Sequence, residues 1–288
     1  LMAAYAASAA GPPEIIENIR NVYFIFINGD TGLDSTAAVD GRGAADNLAA
    51  LGYEHFYMEY LGRAHSFSLV AEAWPITTGL LRDRKRDPNP AHITYTMKAA
   101  HEVPALGLVH DHNYWVSGLA LAQGAASGTI DAFALPLSGK LPTKASRLTG
   151  YFTNTQTLNN VYVSWLEYRD LTGHSITDYQ SGWVPLNVTV SDVPMALPPK
   201  AGSNGFASTT TGLSSATFDL QRMGIVTAGL LHGDVTTDVA QDLTLLSDSA
   251  WPNGVIVRVD GRDTQRILSG RALTVHLDSG THAVDIGA

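Results

Sequence analysis

Cysteine is absent from the 288-residue chain, which excludes disulfides, thiolate metal sites and cysteine nucleophiles. That absence fits oxidising and reducing compartments alike. Charged residues are scarce at 16%, and the basic ones scarcer, with 18 Lys and Arg against 27 Asp and Glu. The resulting net charge of −9 argues against a nucleic-acid partner or an anionic membrane surface. Long apolar runs are missing as well, since none approaches the roughly 18 residues that span a bilayer. Leu1 to Ala10 is small and apolar, yet it lacks a basic n-region and is too short for a full signal peptide. What the chain does have is 45% hydrophobic residues, enough to build a core and to exclude disorder. Its length corresponds to about two average domains.

The pattern changes once along the chain. Residues 1–87 alternate apolar strand-like runs with helix-like segments, as βα units with a parallel sheet do. From Pro90 onward, short Val, Thr, Tyr and Leu runs are separated by Gly, Pro, Asn and Ser, the habit of a β-sandwich or barrel. The expected division is therefore 1–89, an α/β part, and 90–288, a β-rich sandwich-like part. Between them, Arg82-Asp-Arg-Lys-Arg-Asp-Pro-Asn-Pro90 reads as a solvated helix end, its cations set against the negative pole of the helix.

In the first part, Val22 to Ile27 carries no charge, which indicates a central strand buried on both faces. Asn28-Gly-Asp-Thr-Gly32 is a loop, and a helix follows it to Leu51, closed by Gly52 as a left-handed cap. Gly41 and Gly43 leave its start uncertain. Tyr53 to Tyr60 is the next strand, Leu61 to Ser66 a loop, and Phe67 to about Lys85 a second helix in which Pro75 takes an early turn or makes a kink. In the second part, strands are expected near 92–97, 113–121, 129–135, 161–168, 186–190, 216–221, 225–231, 242–246, 254–259, 272–276 and 282–286. Residues 191–212 read as a long loop or a strap. Val259-Asp-Gly-Arg262 and Leu277-Asp-Ser-Gly280 read as hairpin turns, and no clean internal repeat is visible.

Chemistry concentrates after the first two strands. One enters a loop containing Asp30 and Asp34, the other a loop containing His65. In a parallel sheet both loops emerge at the carboxyl edge, so an acid and a histidine 31 residues apart can meet. A carboxylate on Nδ1 of an imidazole fixes its tautomer and leaves Nε2 free as a base.

These segments, Asn28-Gly-Asp-Thr-Gly-Leu-Asp34, Ala49-Ala-Leu-Gly-Tyr53 and Tyr60-Leu-Gly-Arg-Ala-His65, resemble the end of an α/β-hydrolase catalytic domain of the prolyl-oligopeptidase-like, S9-type serine hydrolases. The resemblance covers residues 14–90; Pro90 to Tyr95 and Asp111 to Val116 look more weakly like the β-rich tail of some secreted bacterial members. It implies the last two βα units of the hydrolase sheet, with His65 as the catalytic histidine and Asp34 as its acid, Asp30 being the alternative. The substrate implied is a peptide or an ester, no cofactor or metal is implied, and the implied location is extracellular.

The family nucleophile, a serine in a Gly-x-Ser-x-Gly elbow, is missing from the expected position. The nearest match, Ala201-Gly-Ser-Asn-Gly205, lies in the irregular loop and reads as a turn. The chain is therefore expected to be the C-terminal part of a serine hydrolase, inactive alone, whose N-terminal half lies on the same or a separate polypeptide. The alternative is a non-catalytic polymer- or partner-binding β-domain with a degenerate hydrolase stub.

Other polar features have plainer readings. Ser66 is a helix N-cap, and His110-Asp111-His112 lacks a third ligand in register for a metal. His55 and His101 have no motif around them. Tyr114, Trp115, Trp165, Tyr168 and Trp183 form either a sugar-stacking platform or, as strand alternation favours, core aromatics. Asn187-Val-Thr189 is a glycosylation sequon, meaningful only in a eukaryotic secretory context.

Overall fold

The computed structural model describes residues 4–7, 16–32, 34–64, 67–82, 84–138, 141–195 and 203–287. Within them the first half of the chain runs β1 (Ala4–Ala7), β2 (Tyr23–Gly29), α1 (Asp34–Ala50), β3 (His55–Tyr60), α2 (Phe67–Arg82), β4 (His92–Lys98), β5 (Val116–Leu121), β6 (Ser127–Leu135), β7 (Lys144–Asn154) and β8 (Asn160–Glu167). The second half runs β9 (Trp183–Pro194), β10 (Gly205–Thr211), β11 (Leu213–Asp219), β12 (Leu231–Thr237), β13 (Gln241–Leu246), β14 (Ile256–Val259), β15 (Arg262–Asp263), β16 (Arg266–Ser269), β17 (Ala272–Leu277) and β18 (Gly280–Gly287). Two compact units result: residues 1–86 with 142–196, and residues 87–141 with 197–288. The first junction lies within three residues of the boundary expected at 89, while 142–196 returns to the first unit.

The first unit is a six-stranded sheet in the order β1-β2-β3-β8-β7-β9. β1, β2 and β3 are parallel, and β8, β7 and β9 continue the sheet antiparallel. The uncharged run of β2 is apolar throughout because both of its faces are covered. Phe24 and Phe26 pack with Ala44, Ala45 and Leu48 of α1, while Tyr23 and Ile25 join Ala73, Ile76 and Leu80 of α2 in a separate cluster. Gly52, at φ 69°, caps α1 as expected. Gly41 is tolerated inside α1 for a packing reason. A Cβ there would overlap the Asn28 amide and the Tyr57 ring, so a bare backbone lets the helix sit close to the strands. Pro75 lies inside α2, beyond its first turn, on the exposed side.

The expected α/β-hydrolase sheet is not what forms. Only two α-helices occur among the described residues, the three sheets are all mixed, and the chain is mostly β. Among the described residues no further βα unit follows α2, and the free edge of β3 is taken by β8 instead. An antiparallel neighbour needs no crossover helix, so a β-rich stretch far along the chain can extend a parallel core.

The second unit is a sandwich of two sheets, β15-β14-β18-β12-β10-β6-β4 and β16-β17-β13-β11-β5. Ile93, Ile130, Phe206, Val235 and Val284 of the first sheet share one core with Leu119, Phe218, Leu243, Leu245 and Val275 of the second. Two strand pairs inside it are parallel. β10 lies beside β12 and β11 beside β13, both at a constant offset of 27 residues, as in Thr209 with Thr236 and Thr217 with Thr244. The arch from β10 into β11 is thus stacked in register on the arch from β12 into β13. This is an internal structural repeat that the sequence, with few identities at that spacing, does not display.

Several expectations need correction. Residues 191–212 are not one loop: β9 extends to Pro194 and β10 starts at Gly205. Residues 225–230 precede β12 rather than forming a strand, and β7 occupies 144–154 where none was expected. Val259 to Arg262 is a tight turn with Asp260 at φ 53° and Gly261 at φ 77°, as a type I′ hairpin requires. Leu277 to Gly280 is not a hairpin, since β17 and β18 lie in different sheets. Arg84, read as part of a solvated helix end, is half-buried: it ion-pairs with Glu54 and Glu167 and covers the Tyr23 ring. No helix among the described residues is long and apolar enough to cross a membrane.

Candidate functional site

The loops after β2 and β3 emerge side by side because the strands are parallel and in register, Gly29 opposite Tyr60. They are stitched together by three hydrogen bonds. The Asp30 and Thr31 amides both donate to the Arg63 carbonyl at 3.0 Å, and the Gly62 amide donates to Asp30 Oδ1 at 2.6 Å. Gly29 makes this possible, since a Cβ there would overlap the Arg63 carbonyl. Gly32 and Gly62, at φ 65° and 70°, turn the two chains.

The second loop is held from its other side by the segment that returns from 142–196. The Leu61 amide donates to the Asn160 carbonyl at 2.9 Å. Arg63 Nε donates to Asn159 Oδ1 at 3.0 Å, and Asn159 Nδ2 donates to Glu72 Oε2 of α2 at 2.6 Å. The loop backbone through residue 63 is therefore fixed from both flanks.

Beneath the first loop, α1 is tied to β3 by polar groups, buried on the strand and half-buried on the helix. Glu59 is only 1% exposed and takes both Nε and an Nη of Arg42 at 2.5 Å. Tyr57 donates to Glu59 Oε2 at 2.7 Å and hydrogen-bonds Asn28. Burial, reinforced by Glu59, holds the Tyr57 phenol far above its usual range, and the Glu59 hydrogen bond raises the Arg42 guanidinium likewise. A bidentate pair of this kind sets orientation as well as energy.

Of the residues expected to carry chemistry, Asp30 sits at the carboxyl edge with Oδ1 committed to the Gly62 amide. Its observed role is a strut between loops. α1 begins at Asp34, a position where the helix dipole favours an acid. The Asp34 side chain, and all of His65 and Ser66, lie outside the described residues.

The remaining candidates resolve plainly. Ser203 is followed by Asn204 at φ 55° and then by β10, so no helix succeeds it and no nucleophile elbow forms. His110 pairs with Glu102 at 3.2 Å and His112 with Asp111 at 3.1 Å. Among the described residues no group of three ligating side chains could hold a metal. Trp115, Trp165 and Trp183 are buried, which leaves no sugar-stacking platform made of the five aromatics.

A serine and a histidine do meet elsewhere. Ser164 Oγ lies 3.2 Å from His55 Nε2, and His55 Nδ1 lies 2.9 Å from the Tyr53 carbonyl. Because the carbonyl can only accept, Nδ1 carries the proton and Nε2 accepts from Ser164. Burial pushes the imidazole down to about 4, so it stays neutral. Both residues are at most 1% exposed, and no substrate reaches them. Sequence inspection missed Glu59, Arg42, Asn159 and this pair, because each depends on a partner far along the chain.

No family model, curated protein or solved structure matches this chain.

Proposed function

We propose that these residues carry the acid and the histidine of a serine hydrolase acting on peptide or ester carbonyls. Its nucleophilic serine would come from outside these 288 residues. The observation that carries this is the stitching of the loop before Asp34 to the loop before His65, by Asp30, Thr31, Gly62 and Arg63. A triad needs its acid and base held to a fraction of an ångström by groups that do not themselves react. Asp30, Gly29, Asn159 and the Arg42–Glu59 pair are suited to that supporting role.

In this reading His65 takes the proton of the attacking serine and returns it to the leaving group, while Asp34 orients the imidazole and stabilises its charged form. Asp30, bound to a backbone amide, supports the loop and is the lesser candidate for the acid. The active protein is to be treated with a fluorophosphonate probe and assayed on a p-nitrophenyl ester. Labelling and turnover are expected to be lost with His65→Ala, and turnover to fall by about 10⁴-fold with Asp34→Asn. The 288-residue chain alone is expected to remain unlabelled. A labelled serine on that chain, or full turnover after His65→Ala, would overturn the proposal.

A further inference from the structure

The second unit has an open cavity of about 270 Å³, lined in part by Asp111, Tyr114, Ser117, Asp219, Arg222 and Leu246. This is at the small end of ligand sites, which run to about 300–1,000 Å³, and suits one ring rather than an extended molecule. The cavity is built on a fixed frame. Arg222 donates through Nε to Asn89 Oδ1 at 3.0 Å, through one terminal nitrogen to the Pro88 carbonyl at 3.0 Å, and through the other to the Tyr114 carbonyl. Trp115, directly after Tyr114, is buried and donates to the Pro90 carbonyl at 2.7 Å. Tyr114 itself is at φ 53°, uncommon for a bulky residue, and its half-buried side chain packs against the sandwich core while lining the cavity.

The lining selects among ligand classes. Arg222 spends three of its five N–H donors on the protein, and an anion entering the cavity would also meet the carboxylates of Asp111 and Asp219. A metal is not favoured, for among the described residues no group of three ligating side chains surrounds any point. Asp111 Oδ1 is bound to His112, which also lines the cavity, and Asp219 Oδ1 accepts the Arg222 amide, so each carboxylate offers its second oxygen as an acceptor for a hydroxyl. Tyr114 adds an aromatic surface, on which the C–H face of a sugar ring can lie.

The surroundings extend the same chemistry. Asp219 and Leu246 are opposite each other on β11 and β13, and two residues back along the same face lie Thr217 and Thr244. Ser117, Thr217, Thr244 and Thr274 are directly paired across four neighbouring strands, forming a hydroxyl row that begins at the cavity. Thr244 and Thr274 hydroxyls are 2.8 Å apart. Strands lie about 4.8 Å apart, close to the length of one sugar in a chain, so successive residues of an oligosaccharide meet successive hydroxyls.

The geometry points to a carbohydrate-binding site: a neutral pyranose occupies this cavity, its hydroxyls donating to Asp111 and Asp219 and its ring against Tyr114, with further sugars along the Ser/Thr row. The test is calorimetric titration of the full chain with cellohexaose, maltohexaose, xylohexaose and chitohexaose, with spermidine and sulfate as charged comparators. At least one hexasaccharide is expected to bind. Its affinity should fall about tenfold or more in Tyr114→Gly, which removes the ring while suiting the positive φ, and likewise in Asp219→Asn. Thermal melts of both variants report folding. No binding by any of the four sugars at millimolar concentration would overturn the assignment. So would unchanged affinity in both folded variants, or binding of spermidine or sulfate in place of the sugars.

Discussion

Lowering the pH should destabilise the first unit through one residue. His55 is fully buried, its Nδ1 bound to the Tyr53 carbonyl and its Nε2 to Ser164. Burial is the main reason its imidazole falls to about 4, and the nearby positive charge of Arg147 acts in the same direction. In the unfolded chain the same group titrates near about 6.5. A histidine whose folded value is depressed leaves stability intact above the unfolded value, because neither state is charged there. As pH drops, the unfolded state binds the proton first, and stability is lost until the folded state is protonated too. Each tenfold difference in proton affinity between the two states is worth about 1.4 kcal/mol. Linkage then gives a loss of about 1 kcal/mol at pH 5.5 and about 3 kcal/mol at pH 4. Urea denaturation of the wild type and of His55→Gln at neutral pH and at pH 5.5 and 4 measures it. The wild type should lose this increment and the variant should not. A titration of the His55 ring followed by NMR supplies the independent check. Parallel losses in the two proteins, or a ring that titrates near the ordinary histidine value, would refute the reasoning.

Other predictions concern the loops and turns. Gly29→Ala should lower stability by about 1–3 kcal/mol, since the new methyl overlaps the Arg63 carbonyl, and faster amide exchange at Asp30 and Thr31 would locate the damage. Unchanged exchange there would show that the loops are not stitched by these bonds. His282 donates from Nδ1 to Asp260 at 2.9 Å and from Nε2 to the Asp278 carbonyl at 3.0 Å, so both ring nitrogens are protonated donors. The Asp260 hydrogen bond raises the imidazole above its usual range, and the contact with His282 lowers Asp260. The contribution of this pair is present below the ordinary histidine value and is lost as pH rises through the raised one. NMR titration of His282 should show a smaller elevation in Asp260→Ala than in the wild type, the remainder coming from Asp278.

Legibility from sequence followed the range of the interactions involved. The strand at Tyr23–Gly29, the helix closed by Gly52 and the Asp260-Gly261 turn were readable because neighbours in sequence supply their causes: an apolar run, a cap, a turn dipeptide. β7 and β10 were not. Lys144–Asn154 contains Gly150 at φ 149° and a register shift against β9, and Gly205 opens β10 because a Cβ would overlap the His232 carbonyl. Glycine there reads locally as a loop, whereas its role is close approach to another strand. The candidate site divides in the same way. The order of acid and histidine after consecutive strands is visible in sequence, but the clamp from Asn159 comes from a segment 96 residues beyond Arg63.

Alone, the amino-acid order determined the local elements: which stretches are apolar enough to be strands, where helices end, and which turns take a positive φ. It also determined a low charge density and an acidic balance. Tertiary structure decided the partners. It brought residues 142–196 back to the free edge of β3, stacked two arches at a 27-residue offset, and buried His55 against Ser164. The reason is physical: backbone preferences act over a few residues, whereas strand pairing and burial reward any segment of the right pattern wherever it lies in the chain.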